Sequence, residues 1–357
     1  MSQKRVKVAL VGCGRIAAKH LKALRYQEKR GRCSLVAVAD RNQEQGRDNL
    51  KIHYPESERV DFYSGLEELL AQETVDLVVI TTPSGSHRDL ALTAISQGMH
   101  LLVEKPLAMN LEDAVQIQQA AEQAGVKLAL GHIYRYFPVM QDLRGKLAAG
   151  AFGKIYYGTV VVRWGHDQAY YDATPWRGTR AADGGVILNQ SVHALDLMRW
   201  LLVAEDQEIL TCQGQATTQS HQMESEDLAF GIFEFANGSY LSYEGSTSTQ
   251  EDYHEARFFI CTEKADIRAG IKKGKPYISI RQDGKDYGKA YLRNFLWRQA
   301  QEEGLASLGS LTNPHTAIYT DLLAAINEGR EPLADARSGV SSLEMVTLLY
   351  RACGIEA

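Results

Sequence analysis

Cysteine is scarce and scattered: Cys13, Cys33, Cys212, Cys261 and Cys353 form an odd set without a C-x-x-C pair. That argues for reduced thiols in a cytoplasmic protein rather than a disulfide framework. Neither H-E-x-x-H nor a paired Cys/His spacing occurs, so no metal is expected. No apolar run approaches the length of a membrane span. No basic run is present and the formal net charge is -5, which excludes the electrostatic footprint of a nucleic-acid binder. Internal repeats and low-complexity segments are also missing. The opening Met1-Ser2-Gln3-Lys4-Arg5 runs directly into a strand pattern, leaving no room for a leader. What remains is an ordinary globular composition, 45% hydrophobic and 23% charged, in 357 residues. That length is enough for two domains, each with its own core.

The most informative segment comes early. Val8-Ala9-Leu10-Val11 reads as a buried strand and leads into Gly12-Cys13-Gly14-Arg15-Ile16-Ala17, a G-x-G-x-x-A turn. A helix with Ile16, Ala17, Leu21 and Leu24 on one face follows. The first glycine permits the tight turn, the second lets a pyrophosphate approach the backbone, and the small third residue lets helix and strand pack closely. The helix N-terminus then offers free N–H groups to phosphate. Ser34–Ala39 reads as the next strand and ends in Asp40, where an acid would hydrogen-bond a ribose hydroxyl. Asp40 should repel a 2′-phosphate, favouring NAD over NADP, although the adjacent Arg41 could receive one. Cys13 reads simply as a small residue in the turn.

Strands and helices alternate through the first third, as a doubly wound parallel sheet requires. Ser64-Gly65-Leu66-Glu67 reads as a capping box, and Val75–Ile80 as a central parallel strand. A helix from about Ser86 closes at Gly98, and Asn110 caps another that Gly125 ends. Beyond Gly131 the pattern changes. Lys154–Trp164, Glu208–Thr218, Leu228–Ala236, Ser239–Ser246, Glu255–Cys261 and Tyr277–Gln282 read as strands of an antiparallel sheet. Asn237-Gly238 marks one hairpin and Asp283-Gly284 a further turn. Helices are expected near Val139–Ala149 and Ser191–Leu202, with a terminal pair at Pro314–Asn327 and Ser338–Ala352. The expected fold is therefore α/β: a parallel domain over residues 1–130 and an α/β domain with an open, mostly antiparallel sheet over 131–357.

Ligands of open α/β sheets lie outside the carboxyl ends of the strands. That rule groups Gly12–Ala17, Asp40-Arg41, Thr82-Pro83, His87 and Glu104-Lys105-Pro106 on one rim. A lysine at the end of a buried strand could hydrogen-bond a reacting hydroxyl and a ribose, although a solvated loop lysine would look the same. The second cluster is Asp183-Gly184-Gly185-Val186-Ile187-Leu188-Asn189-Gln190-Ser191-Val192-His193. Asn189 and His193 stand one helical turn apart, which puts them on one face. A histidine is suited to taking a hydroxyl proton near neutral pH, but the chain has 10 of them, so spacing alone does not single out His193.

Taken together, Val11–Ala17 with His20, Thr82-Pro83 with His87, Glu104-Lys105-Pro106, Gly184-Gly185 to His193, and the late Glu331-Pro332-Leu333 resemble the Gfo/Idh/MocA oxidoreductase family along the whole chain. The resemblance implies an N-terminal Rossmann domain and a C-terminal domain whose open sheet forms homo-oligomer contacts, as a dimer or tetramer. It also implies NAD(P)-dependent oxidation of a CH–OH group in a sugar, inositol or related alcohol, with Lys105 and His193 flanking the substrate as catalytic residues. Gly12, Gly14, Arg15, Ile16, Asp40, Arg41, Thr82, Pro83, His87, Glu104, Lys105 and Arg135 would then bind the cofactor, and Lys105, Tyr171, Arg177, Asn189 and His193 the substrate. Tyr134–Pro138 resembles a family loop beside the active-site cleft, although an aromatic seam would look the same. One departure matters: many members carry Asp four residues before the histidine, and this chain has Asn189, which cannot stabilise an imidazolium by charge. Asn-Gln-x-x-His after Trp176-Arg177-Gly178-Thr179 looks like the branch of UDP-N-acetylglucosaminuronate 3-dehydrogenases, where Arg177 could pair with a carboxylate or phosphate. An arginine bonded to loop carbonyls, an inositol or simple sugar dehydrogenase, an NAD-using glycoside hydrolase and a ligand sensor without chemistry are the competing readings.

Overall fold

The computed structural model describes residues 5–204, 207–272, 275–303 and 313–355. The Met1–Lys4 stretch, read above as leaving no room for a leader, lies outside them. The chain divides into two units, Met1–Tyr136 with Ser310–Val340, and Phe137–Gly309 with Ser341–Ala357.

In the first unit β1 (Val6–Val11), α1 (Ala17–Glu28), β2 (Cys33–Ala39), α2 (Gln43–His53), β3 (Asp61–Tyr63), α3 (Leu66–Gln72), β4 (Leu77–Ile80), α4 (His87–Ser96), β5 (His100–Val103), α5 (Leu111–Ala124) and β6 (Leu128–Leu130) follow in order. The strands form one parallel sheet ordered β3-β2-β1-β4-β5-β6. All four residues of β4 are fully buried, which is why that strand reads as a continuous apolar run rather than an alternation. Strand order reverses between β1 and β4, so the crevice at their carboxyl ends is the ligand position for such a sheet. Helix caps largely follow the sequence: the Asn110 side chain accepts from the Asp113 N–H at 2.8 Å. The capping box at α3 is shifted by one residue. Gly65 is the N-cap, and Glu68 rather than Glu67 reaches back to the Ser64 N–H at 2.9 Å.

The second unit contains α6 (Pro138–Ala148), β7 (Ile155–Trp164), α7 (Gln168–Asp172), α8 (Val192–Leu202), β8 (Ile209–Thr217), β9 (Leu228–Phe235), β10 (Tyr240–Ser246), β11 (His254–Thr262), β12 (Asp266–Lys272), β13 (Lys275–Gln282), β14 (Lys285–Asp286) and α9 (Gly288–Glu303). Its sheet runs β14-β13-β12-β11-β7-β10-β9-β8 and is antiparallel except for the β10–β7 pair. The Asn237-Gly238 turn joins β9 to β10 as expected, with Gly238 at φ +80°, a conformation glycine adopts without strain. α8 packs on one face: a Cβ on Gly158 would lie 2.6 Å from Met198 and 2.9 Å from Leu202. On the other face the register aligns Tyr157, Phe230, Ile232 and Tyr240, all exposed. In this unit the sequence reading omitted β12, β14, α7 and α9.

The last helices are α10 (Pro314–Glu328) and α11 (Ala336–Ala352). Residues 131–357 are therefore not one unit. α10 returns to the first unit, where Ile318, Tyr319, Leu322 and Leu323 enter the core beside Leu21 and Leu24. Gln27 of α1 donates to the Thr316 carbonyl at 3.1 Å and the Thr320 hydroxyl at 2.7 Å. Among the described residues no helix is long and apolar enough to cross a membrane.

Candidate functional site

The glycine turn sits where β1 ends beside β4. Gly12 has φ +93°, and a Cβ there would lie 2.8 Å from the backbone of Thr81 and Thr82, so the turn needs glycine for both conformation and space. Gly14 differs: a Cβ there would meet nothing within 4 Å. Its side of the turn is open, as a pyrophosphate seat must be. α1 begins at Ala17 with no side chain capping it; the Ala17 and Lys19 N–H groups turn back to the Gly14 and Ile16 carbonyls at 3.1 and 3.0 Å, and the positive end of the helix dipole favours an anion at this turn. Arg15 is exposed, Ile16 half-buried and Ala17 buried. Asp40 ties the turn to the end of β2 by accepting from the Cys13 N–H at 2.6 Å and the Asn42 N–H at 2.8 Å. Each oxygen keeps a second lone pair for a ribose hydroxyl. Arg41 is exposed. Burial, with Asp40 beside it, pushes the Cys13 thiol up to about 12, so Cys13 stays neutral in the turn. These features fit a dinucleotide.

Further along the rim, several side chains expected to face a cofactor turn inward instead. His87 is 1% exposed. Its ring nitrogens lie 2.7 Å from the Pro106 carbonyl and 3.0 Å from the Thr82 carbonyl, so it braces one rim loop against the other. Thr82 is half-buried and Pro83 exposed, and Ser86 donates to the Thr82 hydroxyl at 2.8 Å. Arg135 and Tyr136 are both 2% exposed. The Tyr136 hydroxyl bonds Asp321 at 3.1 Å and accepts from the Ala334 N–H at 3.2 Å. Tyr136 is thus part of the packed seam with α10, and Arg135 is buried rather than an exposed cover. Lys105 is half-buried after β5.

Glu104 is 8% exposed, with both oxygens engaged. Oε1 accepts from His20 Nε2 at 2.8 Å and lies 3.3 Å from His315 Nε2, while Oε2 accepts from the Lys105 N–H at 3.2 Å. The facing ring nitrogens and carboxylate oxygen of His20, Glu104 and His315 all lie within 4.8 Å of one another. No spacing motif could have announced this cluster, because its members come from α1, the end of β5 and α10. Burial works to raise the Glu104 carboxyl, but hydrogen bonds and charge from His20 and His315 together hold it well below the usual carboxylate range.

The second unit carries its own constellation. Val186–Gln190 forms a π-helical turn, with the Ser191 N–H reaching the Val186 carbonyl at 2.9 Å, before α8 begins at Val192. The Asn189–His193 spacing therefore crosses a widened turn rather than a regular helical one. Asn189 Nδ2 donates to Asp183 Oδ1. Asp183 is 2% exposed, and its other oxygen accepts from the Gly178 N–H at 2.7 Å. One carboxylate thus links the residue after Arg177 to Asn189. The motif Asp183-Gly184-Gly185 was visible in the sequence, but nothing local marked that aspartate as the link. His193 is half-buried on α8.

Arg177 lies over the Tyr170 ring at 4.2 Å and the Trp176 ring at 4.7 Å. Among the described residues its guanidinium has no hydrogen-bond or ion-pair partner, so the reading of an arginine bonded to loop carbonyls does not hold. His166, Tyr170 and Tyr171 all read from the sequence as substrate-loop residues, and the structure separates Tyr171 from the other two. Tyr171 is buried at 7%, its hydroxyl donates to Thr247 at 3.0 Å, and burial raises its pKa above the ordinary tyrosine value. Tyr170 instead stacks on His166 at 3.7 Å and carries Arg177.

Residues 6–132 match the model of the GFO_IDH_MocA oxidoreductase family, NAD-binding Rossmann fold, and residues 144–354 match the same family's C-terminal alpha/beta domain. The 1,5-anhydro-D-fructose reductase of Ensifer adhaerens is 30% identical over 285 residues, 78% of each chain. The WlbA dehydrogenase of Chromobacterium violaceum, solved with NADH and UDP-GlcNAcA, superposes with a TM-score of 0.84 at 26% identity, over 99% of this chain and 95% of that one. Its counterpart from Bordetella pertussis, in the same kind of complex, gives 0.81 at 27% identity over 98% and 97%.

Proposed function

The chain belongs to the Gfo/Idh/MocA oxidoreductase family, whose N-terminal domain binds NAD, and on that premise we propose that it oxidises a ring hydroxyl, the 3-hydroxyl, of a UDP-linked N-acetyl-hexuronate. The carrying observation is Arg177. Contact with two rings holds its guanidinium in place and leaves its donors unspent, the state of an arginine built to receive a planar anion. Asp183 sets that arginine's loop relative to Asn189 through the Gly178 N–H. A uronate carboxylate or a diphosphate supplies the anion, and the two WlbA dehydrogenases were solved with a sugar nucleotide carrying both.

NAD, when bound, supplies the hydride acceptor. The substrate loses a hydride from the carbinol carbon and a proton from its hydroxyl, leaving a ketone. His193 takes that proton as general base, and Lys105 donates a hydrogen bond to the developing alkoxide. Asn189 orients the substrate. Gly12, Gly14, Arg15, Ile16 and Asp40 hold the pyrophosphate and ribose, while His87 and Glu104 serve by shaping the rim. The exposed Tyr157, Phe230, Ile232 and Tyr240 give a second copy of the chain an apolar face to pair with. The test is NADH absorbance, in single turnover and at steady state, with UDP-N-acetylglucuronate, UDP-N-acetylglucosamine, myo-inositol and glucose. Signal confined to the uronate supports the reading. Signal with inositol or glucose replaces it with a simpler polyol dehydrogenase. Lys105→Ala and His193→Ala should each lower turnover by roughly 10²–10⁴-fold with NAD affinity little changed, and near-normal turnover in either removes that residue from its role.

A further inference from the structure

His315 has no place in the mechanism above, yet it is 2% exposed and aimed at Glu104, the residue before Lys105. Its donor state follows from its other side. Nδ1 lies 3.1 Å from Asn313 Oδ1. That amide cannot be reversed, because Oδ1 also accepts the His315 backbone N–H at 3.2 Å and Nδ2 donates to the Lys19 carbonyl at 3.1 Å. An amide oxygen offers only lone pairs, so Nδ1 must carry a proton. A neutral ring would then turn the bare Nε2 towards a buried carboxylate oxygen 3.3 Å away, two acceptors facing each other out of reach of water. The contact is favourable only if Nε2 donates as well. His20 has no such conflict. The Tyr319 hydroxyl, 3.0 Å from its Nδ1, can donate there, leaving Nε2–H for Glu104 on a neutral ring.

We propose that His315 is a positioning residue that donates from both ring nitrogens, holding the Glu104 carboxylate and, through the hydrogen bond Glu104 accepts from the Lys105 N–H, the backbone of Lys105. Its effect on turnover rests on the role given above to Lys105; its two-donor state does not. The titratable groups packed against it are His20 from α1 and Glu104 at the end of β5; Lys19 and Tyr319 act on His20, and Lys105 and His132 lie near one another and near Glu104. The resulting pair is a charge-assisted bond inside the first unit. It makes the helix that returns from the far end of the chain part of the rim's support.

Nitrogen NMR of the full-length, histidine-labelled protein with NAD bound, near neutral pH, reads the donor state directly. His315 signals are assigned by their loss in His315→Gln. Two protonated ring nitrogens on His315, against one on His20, are expected, and a bare Nε2 on His315 overturns the proposal. His315→Gln should lower kcat on the order of 10- to 100-fold while leaving the KM for NAD near that of the parent, with Glu104→Gln behaving alike. Unchanged kcat in His315→Gln removes the positioning role. If that variant does not fold, the spectrum of the parent protein still decides the donor state. Should Lys105→Ala retain turnover, the Lys105 role falls while the spectrum still tests His315.

Discussion

The two glycines of the phosphate turn should fail in opposite ways when given a methyl group. In Gly12→Ala the new Cβ would sit 2.8 Å from Thr81 C and Thr82 N, at φ +93°. The left-handed conformation costs about 1–2 kcal/mol for a non-glycine residue, and pushing backbone apart in a packed sheet adds roughly 1–3 kcal/mol. At about 2–4 °C per kcal/mol for a unit of this size, Gly12→Ala should melt roughly 5–15 °C lower. In Gly14→Ala the Cβ meets nothing within 4 Å, so the melting temperature without NAD should stay within about 2 °C of the parent. The same methyl would occupy the space a pyrophosphate needs, so NAD affinity should fall at least about tenfold, or 1.4 kcal/mol. Differential scanning fluorimetry without cofactor, paired with NAD titration calorimetry, separates the two effects. If Gly14→Ala melted as low as Gly12→Ala yet bound NAD normally, the assignment of the open side of the turn to phosphate would be refuted.

Arg177→Ala should raise the KM for a uronate substrate by roughly 10- to 100-fold, the worth of a charged hydrogen bond; Arg177→Lys should recover only part, and an equal rise with a neutral sugar would refute anion recognition. Asn189→Asp should slow turnover although Asp is the residue many relatives carry, because Asp183 Oδ1 already faces that position and two carboxylates there repel. Turnover equal to or faster than the parent's would overturn this. Burial lowers the pKa of His20 and His132 below the ordinary 6.5, so the unfolded chain takes up protons that the folded chain does not. Stability from these groups is present above pH 6.5 and is lost as pH falls towards their folded values, at up to about 1.4 kcal/mol per pH unit for each. Urea midpoints from neutral pH down to about 5.5 should fall accordingly, and a flat profile would refute the assignment.

Features written into neighbouring residues were legible. The G-x-G-x-x-A turn, the fully apolar β4, the Asn110 cap and the Asn237-Gly238 hairpin each depend on contacts within a few positions, and the structure carries all four. What could not be read depends on the chain returning to itself. Pro314–Glu328 has the pattern of an ordinary amphipathic helix, and nothing in it states that Tyr319 will pack beside His20. His20, Glu104 and His315 have no shared spacing, so their convergence is a property of the tertiary fold alone. β12 was missed between a turn and residues rich in lysine and glycine, where strand propensity is weak and pairing with β11 decides the outcome. Polar residues near the strand ends were also assigned to the ligand too readily. His87 and Glu104 sit at the right rim, but buried polar groups must find partners, and in both cases those partners are protein.

That distinction changes how the Asn-for-Asp departure reads. Taken from the sequence, Asn189 removes a negative charge from beside a prospective base. In the folded chain a carboxyl group stands one step away, on Asp183, and accepts from Asn189 Nδ2 and the Gly178 N–H. A carboxylate with both oxygens engaged fixes geometry, and the amide it holds has its nitrogen set towards Asp183. The same carboxylate anchors the loop that carries Arg177. A single buried aspartate therefore couples the two parts of the proposed substrate site, the anion-receiving arginine and the hydroxyl-orienting amide. A direct Asp at 189 could not be held by Asp183 in this way, so the asparagine and the arginine loop form one arrangement rather than a lost catalytic group and an unrelated gain.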